Sequence, residues 1–331
     1  MFQNISRRRF GLTSAALAAS AVTTHVVPVG AAQKSRLLVP GMGERVAKTG
    51  DDFEDEKFVY NPQHPKSSYE QNKNQNLPGA WCSNNLWMEG AKRGTPDVVK
   101  RVETPRDGIP GSKGSLLIRT LNSGVPGRNS YEMHQDDLLH NTEGLLGQQI
   151  PLSWSPSVSC RVFIPHESHW EQRNGATFGF RIGLWGYTPR GKYDEFWPGI
   201  FFYMAREQTA DGKIKPYIQS TVRADDWGRD LNSLRFEPSS WCTLGMSMTP
   251  DGRCHFFGKK GVEDLTEQDH LGSYMCYGWR GTVFTTYFFN VMSMDDGRSW
   301  STPWIFDDAF LYAATAPRNM LAQAAAKTTA K

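Results

Sequence analysis

In the stretch NSYEMHQDD, residues 129 to 137, an extended backbone sets Glu132, His134 and Asp136 on one face, with Tyr131, Met133 and Gln135 on the other. A carboxylate, an imidazole and a second carboxylate are the groups that general acid–base chemistry uses. They are equally what the wet side of an ordinary sheet carries. Spacing narrows the choice. A retaining glycoside hydrolase needs two carboxyl groups about 5.5 Å apart, which on one strand means residues two apart. Glu132 and Asp136 are four apart, roughly 13 Å along a strand, and His134 stands between them. This strand alone therefore does not supply a retaining pair. An inverting pair drawn from different strands stays open.

Other segments offer a different chemistry. ATFGFRIGLWGY (176–187) places Phe178, Phe180, Ile182 and Leu184 on one face and Arg181, Trp185 and Tyr187 on the opposite one. KPYIQSTVR (215–223) sets Ile218 and Val222 against Tyr217, Gln219, Thr221 and Arg223, and TVFTTYFFNVMSM (282–294) adds Asn290. A merely soluble face is usually built from Lys and Glu. Planar aromatics and multidentate side chains instead suit sugars, whose C–H faces stack on rings and whose hydroxyls need paired donors and acceptors. Glu132, Trp185, Tyr187, Arg223 and Asn290 are accordingly the expected substrate-binding residues. Eliminative cleavage of a uronate glycan needs the sugar carboxylate neutralised and the adjacent proton removed by a base. Arg181 and Gln219 are the expected neutralisers, with His134 or a tyrosine such as Tyr217 or Tyr187 as base. A non-catalytic sugar-binding domain explains the same aromatics without any base. A hydrolase with non-standard carboxylates and a structural wall protein are further alternatives.

The elements that must position these residues are strands. The chain has 11 Trp, 18 Phe, 11 Tyr, 31 Gly and 19 Pro, a composition that favours β-structure. Short apolar-alternating runs recur between Gly, Pro, Asn and Asp: 114–121, SVSCRVFIP (157–165), PGIFFYMAR (198–206), the hairpin 241–261 and WIFDDAFLY (304–312). No helical pattern of 12 or more residues interrupts them, which predicts an all-β sandwich or barrel. Three segments resemble concanavalin A-like jelly-roll domains: DDFED near residue 51, the hairpin WCTLGMSMTPDGR and the closing FDDAFLY. The resemblance implies a two-sheet antiparallel sandwich over 51–313, with one sheet curved into a carbohydrate groove. The hydrolases of that group carry an E-x-D-x-(x)-E run; EMHQDD (132–137) and DFEDE (52–56) do not match it. The alginate lyases' R-x-E-x strand and Q-I-H triplet are likewise absent, with NSYEM and EMHQ only echoes of them.

The N-terminus, SRRRFGLTSAALAASAVTTHVVPVGAA, resembles a bacterial twin-arginine export signal cut near Ala31 or Ala32. That implies a periplasmic or secreted protein, and the interrupted apolar run is no permanent membrane span. Residues 1–32 hold Arg7, Arg8, Arg9 and no acid, so the formal charge of +3 falls to 3 − 3 = 0 on their removal. Nothing in that balance points to nucleic acid. Residues 33–50 read as a linker and 314–331 as a flexible or short helical tail. The five cysteines cannot all pair internally, and a turn at Asp251-Gly252 would set Cys254 opposite Thr249, far from Cys242. Mostly buried free thiols are expected, with any pair being non-local. If first and last strands lie together, as the resemblance implies, Asp51, Asp52, Asp307 and Asp308 come within range of a structural Ca²⁺. His166 and His169 in HESHW lack a third ligand nearby and make a poor zinc site.

Overall fold

Alternation with period 2 builds two faces at once, and in this chain the apolar faces of two sheets meet. The computed structural model describes residues 38–64, 78–121, 133–294 and 300–322. Its main strands are β1 (Trp87–Glu89), β2 (Val98–Glu103), β3 (Gly114–Arg119), β4 (Met133–His140), β5 (Pro156–Ile164), β6 (Gly175–Tyr187), β7 (Tyr193–Phe196), β8 (Gly199–Gln208), β9 (Ile214–Arg223), β10 (Asp230–Phe236), β11 (Ser240–Met248), β12 (Cys254–Lys260), β13 (His270–Tyr274), β14 (Arg280–Met294) and β15 (Trp304–Ala313). A short helix, α1 (Thr142–Leu146), follows β4. The back sheet runs β13-β12-β11-β5-β15-β3-β2, and the front sheet β10-β9-β8-β6-β14-β4-β1, with β7 also paired to β6. All these pairings are antiparallel. The fold is an all-β, two-sheet antiparallel jelly-roll sandwich.

The inner faces form one apolar core. Phe178, Phe180, Ile182 and Leu184 of the front sheet and Val158, Cys160, Val162 and Ile164 of the back sheet are fully buried, as their alternation predicts. Phe289 stacks on Phe306 across the sandwich, ring centres 3.7 Å apart. Each such side chain contributes about 1.5–3 kcal/mol through burial. β8 is apolar on both faces, with Phe201 buried on the outer one.

Three expectations are corrected. Residues 38–50 are no linker: Glu44 and Arg45 pair with Ala313 and Tyr312, Val46 is buried in the core, and Val46 bridges to Leu321. Backbone pairing needs no apolar periodicity, so a short added strand leaves no pattern to read. The hairpin turn holds three residues, Pro250-Asp251-Gly252, since the Thr249 amide donates to Arg253 O and Met248 faces Cys254. Cys254 is thus shifted one place, although all five cysteines are buried free thiols, as expected. The phase of β4 is reversed relative to a groove carrying Asp136: Asp136 and Leu138 are buried inward, opposite Val291 and Phe289. The Thr120 hydroxyl donates to the Asp136 carboxylate. Gln135 and Asp137 hold the outer face instead.

The carboxylates expected at a structural Ca²⁺ are placed as follows. The Asp51 amide and carbonyl do bridge to Ala309. The Asp51 carboxylate, however, accepts from Trp87 Nε1 and Asn84 Nδ2, both at 2.9 Å. Asp307 accepts from Ser112 Oγ (2.7 Å), Ser115 Oγ (3.2 Å) and the Asp308 amide (2.8 Å), and burial pushes its pKa up to about 6. Asp308 faces the Arg161 guanidinium at 3.8 Å, and Asp52 turns back to the Glu54 amide. Among the described residues no three His, Cys, Asp or Glu side chains are grouped to hold a metal ion. Protein donors thus take up the Asp307 carboxylate, while Asp52 accepts from one backbone amide and Asp308 is held by the facing guanidinium. The expected export signal lies outside the described residues.

Candidate functional site

The outer face of the front sheet holds a cavity of about 270 Å³. Its floor is set by register. Leu139, Phe288 and Arg181 lie in one row across β4, β14 and β6, and Gly199 of β8 continues it to Arg223 of β9. Gly199 has a steric reason to be glycine: a Cβ there would sit 2.5 Å from Arg181 Cγ and 2.9 Å from Phe180 O. The arginine side chain therefore lies across the glycine, buried to 6% exposure. Its Nε and Nη2 donate to Trp197 O at 3.3 and 3.0 Å, and Tyr277 Oη donates to the same carbonyl at 3.3 Å. Its Cζ also stands 5.2 Å from the Phe288 ring centre and 5.3 Å from that of Phe201.

Beside it lies a second buried charge. Asp137 of β4 accepts from Asn290 Nδ2, whose Oδ1 accepts in turn from Arg181 Nη1 at 3.4 Å. Arg93 Nε stands 4.0 Å from the other Asp137 oxygen. Burial raises the Asp137 pKa to about 6 against the pull of Arg93 and Arg181. Burial also lowers the Arg181 pKa to about 10, so the guanidinium stays charged at neutral pH. The segment 90–94 runs along β4, where the Asp137 amide donates to Gly94 O at 2.8 Å. It brings Lys92 and Arg93 to the cavity. Lys92 Nζ sits 3.5 Å above the Trp197 ring centre and 3.4 Å from Glu195 Oε2. Three cations (Lys92, Arg93, Arg181), two carboxylates (Asp137, Glu195) and the apolar surfaces of Trp197, Phe288 and Leu139 thus line one cavity.

An adjoining cavity of about 360 Å³ shares Leu139, Thr286 and Glu195 with the first and adds Trp185 and Glu143. Trp185 is four residues beyond Arg181 on the same face, roughly 13 Å along the strand, and stacks on Tyr193 at 5.5 Å. Tyr187, half exposed, packs against Tyr193 at the strand end. Together the two cavities make a groove along the sheet.

Of the residues expected from sequence, Arg181 and Trp185 are brought to this groove, with Tyr187 at its end, whereas Asn290 is fully buried and reaches it only through its bonds to Asp137 and Arg181. Arg223 lies in the Arg181 row but is held bidentately by Asp230 at 2.8 and 2.9 Å, which also accepts from Tyr203 Oη. Two residues belong elsewhere. Gln219 Nε2 donates to the carbonyls of Ser220, Ser233 and Leu234, so its donors are spent on the backbone. Tyr217 lies beneath the Arg235 guanidinium at 4.2 Å. Neither lines the Arg181 cavity. The His134 backbone pairs with Ser293; its side chain and the whole of Glu132 lie outside the described residues. Sequence reasoning missed Lys92, Arg93, Asp137, Glu195, Trp197 and Tyr277. Phe288 carried a usable signal, since it is two residues from Asn290 on one strand.

No family model matches the chain, and no curated protein matches it. Several solved structures are similar at low identity. A carbohydrate esterase from a Shiga toxin-encoding bacteriophage matches at 10% identity over 70% of this chain and 91% of its own, with a TM-score of 0.39. An endo-β-1,4-glucuronan lyase from the fungus Trichoderma reesei matches at 12% identity over 70% and 95%, with a TM-score of 0.35. A β-glucanase catalytic domain from Podospora anserina matches at 11% identity over 70% and 88%, with a TM-score of 0.41. Fold and site here stand on the sheets and side chains described above.

Proposed function

We propose that the front groove binds an acidic polysaccharide and cleaves it at a uronate residue by β-elimination. The observation that carries this reading is the buried Arg181 guanidinium, flanked by Arg93 and Lys92, at the floor of a cavity with aromatic surfaces. A uronate carboxylate seated against Arg181 and Arg93 loses the charge that opposes removal of its neighbouring C5 proton. Asp137, with its pKa of about 6, is an ionised base at neutral pH beside those cations. Asp137 takes the C5 proton, the C4=C5 double bond forms, the C4–O4 bond breaks, and O4 takes a proton from water. Trp185 supports a further sugar along the groove.

A second reading has its own support, since Asp137 and Glu195 line the same cavity. A carboxylic acid with raised pKa and a second carboxylate from another strand suit inverting hydrolysis. Incubation with polyglucuronate, polygalacturonate and neutral β-glucans separates the outcomes. Elimination yields an unsaturated product absorbing in the near ultraviolet, and hydrolysis yields new reducing ends without it. Binding without either product would reduce the groove to a sugar-binding surface. The N-terminal arginine-led segment supports a site of action outside the cytoplasm, and cell fractionation of the full chain tests that.

A further inference from the structure

The opposite face of the sandwich holds a larger cleft, of about 540 Å³, on the outer side of the back sheet. Its floor is a single row across four strands: Lys100 pairs with Leu117, Leu117 with Ile305, and Ile305 with Phe163. The alternate residues Leu116, Ile118, Val162 and Phe306 are buried in the core, so the floor residues face outward by parity. Arg119 and Trp300 bound one side, with the guanidinium 4.8 Å from the ring centre and Nε bonded to Ser301 O at 3.0 Å. His166 and His169, from the HESHW turn, bound the other. His166 Nδ1 meets the Ser168 hydroxyl at 2.9 Å and accepts from the Ser168 amide, which fixes its ring. Lys100, His166 and His169 are exposed. Among the described residues no carboxylate lines the cleft, in contrast to the front cavity.

We infer that this cleft is a second binding site, taking a carboxylate- or sulfate-bearing saccharide against Lys100, Arg119 and the two imidazoles. A flat apolar floor edged by an indole suits a sugar's C–H face, and a cationic polar lining suits an anion. The choice of a saccharide over another amphiphilic anion rests on the reading of the Arg181 groove. Placed on opposite faces, the two sites would hold different stretches of polymer, and the back site would raise the local concentration of chain at the front one.

The test is calorimetric titration of the full chain with a glucuronate tetrasaccharide, repeated for Lys100→Glu, His169→Glu and Arg181→Met. Lys100 and His169 are exposed, so their variants are expected to keep the wild-type near-ultraviolet circular dichroism. The expected result is two classes of site, one weakened about tenfold or more by either back-face substitution and the other lost in Arg181→Met. A single class lost in Arg181→Met and unmoved by Lys100→Glu overturns the back site while the front reading stands. A class lost only in the back-face variants, with Arg181→Met silent, upholds the back site and removes the front one. Absence of binding, or saturable myristate binding at the Lys100-sensitive site with which the tetrasaccharide does not compete, overturns the inference.

Discussion

Replacing Asp137 with Asn isolates the electrostatic cost of the buried carboxylate. Its pKa of about 6 against an ordinary 3.8 means that the fold favours the protonated form. A raised pKa gives stability that is complete below the unfolded-state value and is lost as pH rises through the folded-state value. The shift of about two units, at about 1.4 kcal/mol each, amounts to roughly 3 kcal/mol lost between about pH 4 and pH 7. The amide in Asp137→Asn has nothing to ionise. The variant's stability relative to wild type should therefore rise by roughly 3 kcal/mol over that interval. Other groups that titrate in the same range, Asp307 among them, are common to both proteins and cancel in the difference. The constant offset between the curves reflects the altered partners of Asn290, Arg93 and Arg181, so the test is their divergence. Guanidinium unfolding followed by tryptophan fluorescence at half-unit pH steps measures it. Curves that stay parallel to within about 1 kcal/mol would refute a desolvated carboxylate at this position.

Three further outcomes follow from the geometry. Gly199→Ala drives a methyl to 2.5 Å from Arg181 Cγ; thermal unfolding should report a loss of about 1–3 kcal/mol, and uronate binding should fall with the displaced guanidinium. Gln219→Ala and Tyr217→Ala should leave turnover of an acidic glycan within about twofold of wild type, whereas Arg181→Met costs on the order of a hundredfold or more in kcat. His140 is enclosed between Tyr287 and Trp87, with its pKa pushed down to about 3 by burial. Its ring should show no protonation shift in NMR between about pH 5 and pH 8, and a transition near pH 6.5 would contradict the packing.

Where strands alternate cleanly, the sequence was legible. Phe178 to Leu184 and Val158 to Ile164 read correctly because one side of each is uninterrupted and apolar. In β4 the run His134-Gln135-Asp136-Asp137-Leu138-Leu139 repeats each character twice, so hydrophobicity leaves the phase undetermined. Tertiary contacts settle it: Asp136 enters the interior because Thr120 offers it a hydroxyl, and Asp137 is left facing the groove. Gln219 looked like a sugar ligand, but three carbonyls of its own sheet take up its amide. Lys92, Arg93 and Trp197 come from connections whose path over the sheet depends on pairings far away in sequence, such as Gly94 with Asp137. Local pattern carries no information about those.

The bridge between Val46 and Leu321 brings the entrance and exit of the sandwich to neighbouring backbone positions. A short Gly-Ser connector between them would close the chain, and new ends could open at the exposed turn near Gly212. Rearranged in this way, the domain could be spliced into a surface loop of a host protein through that turn.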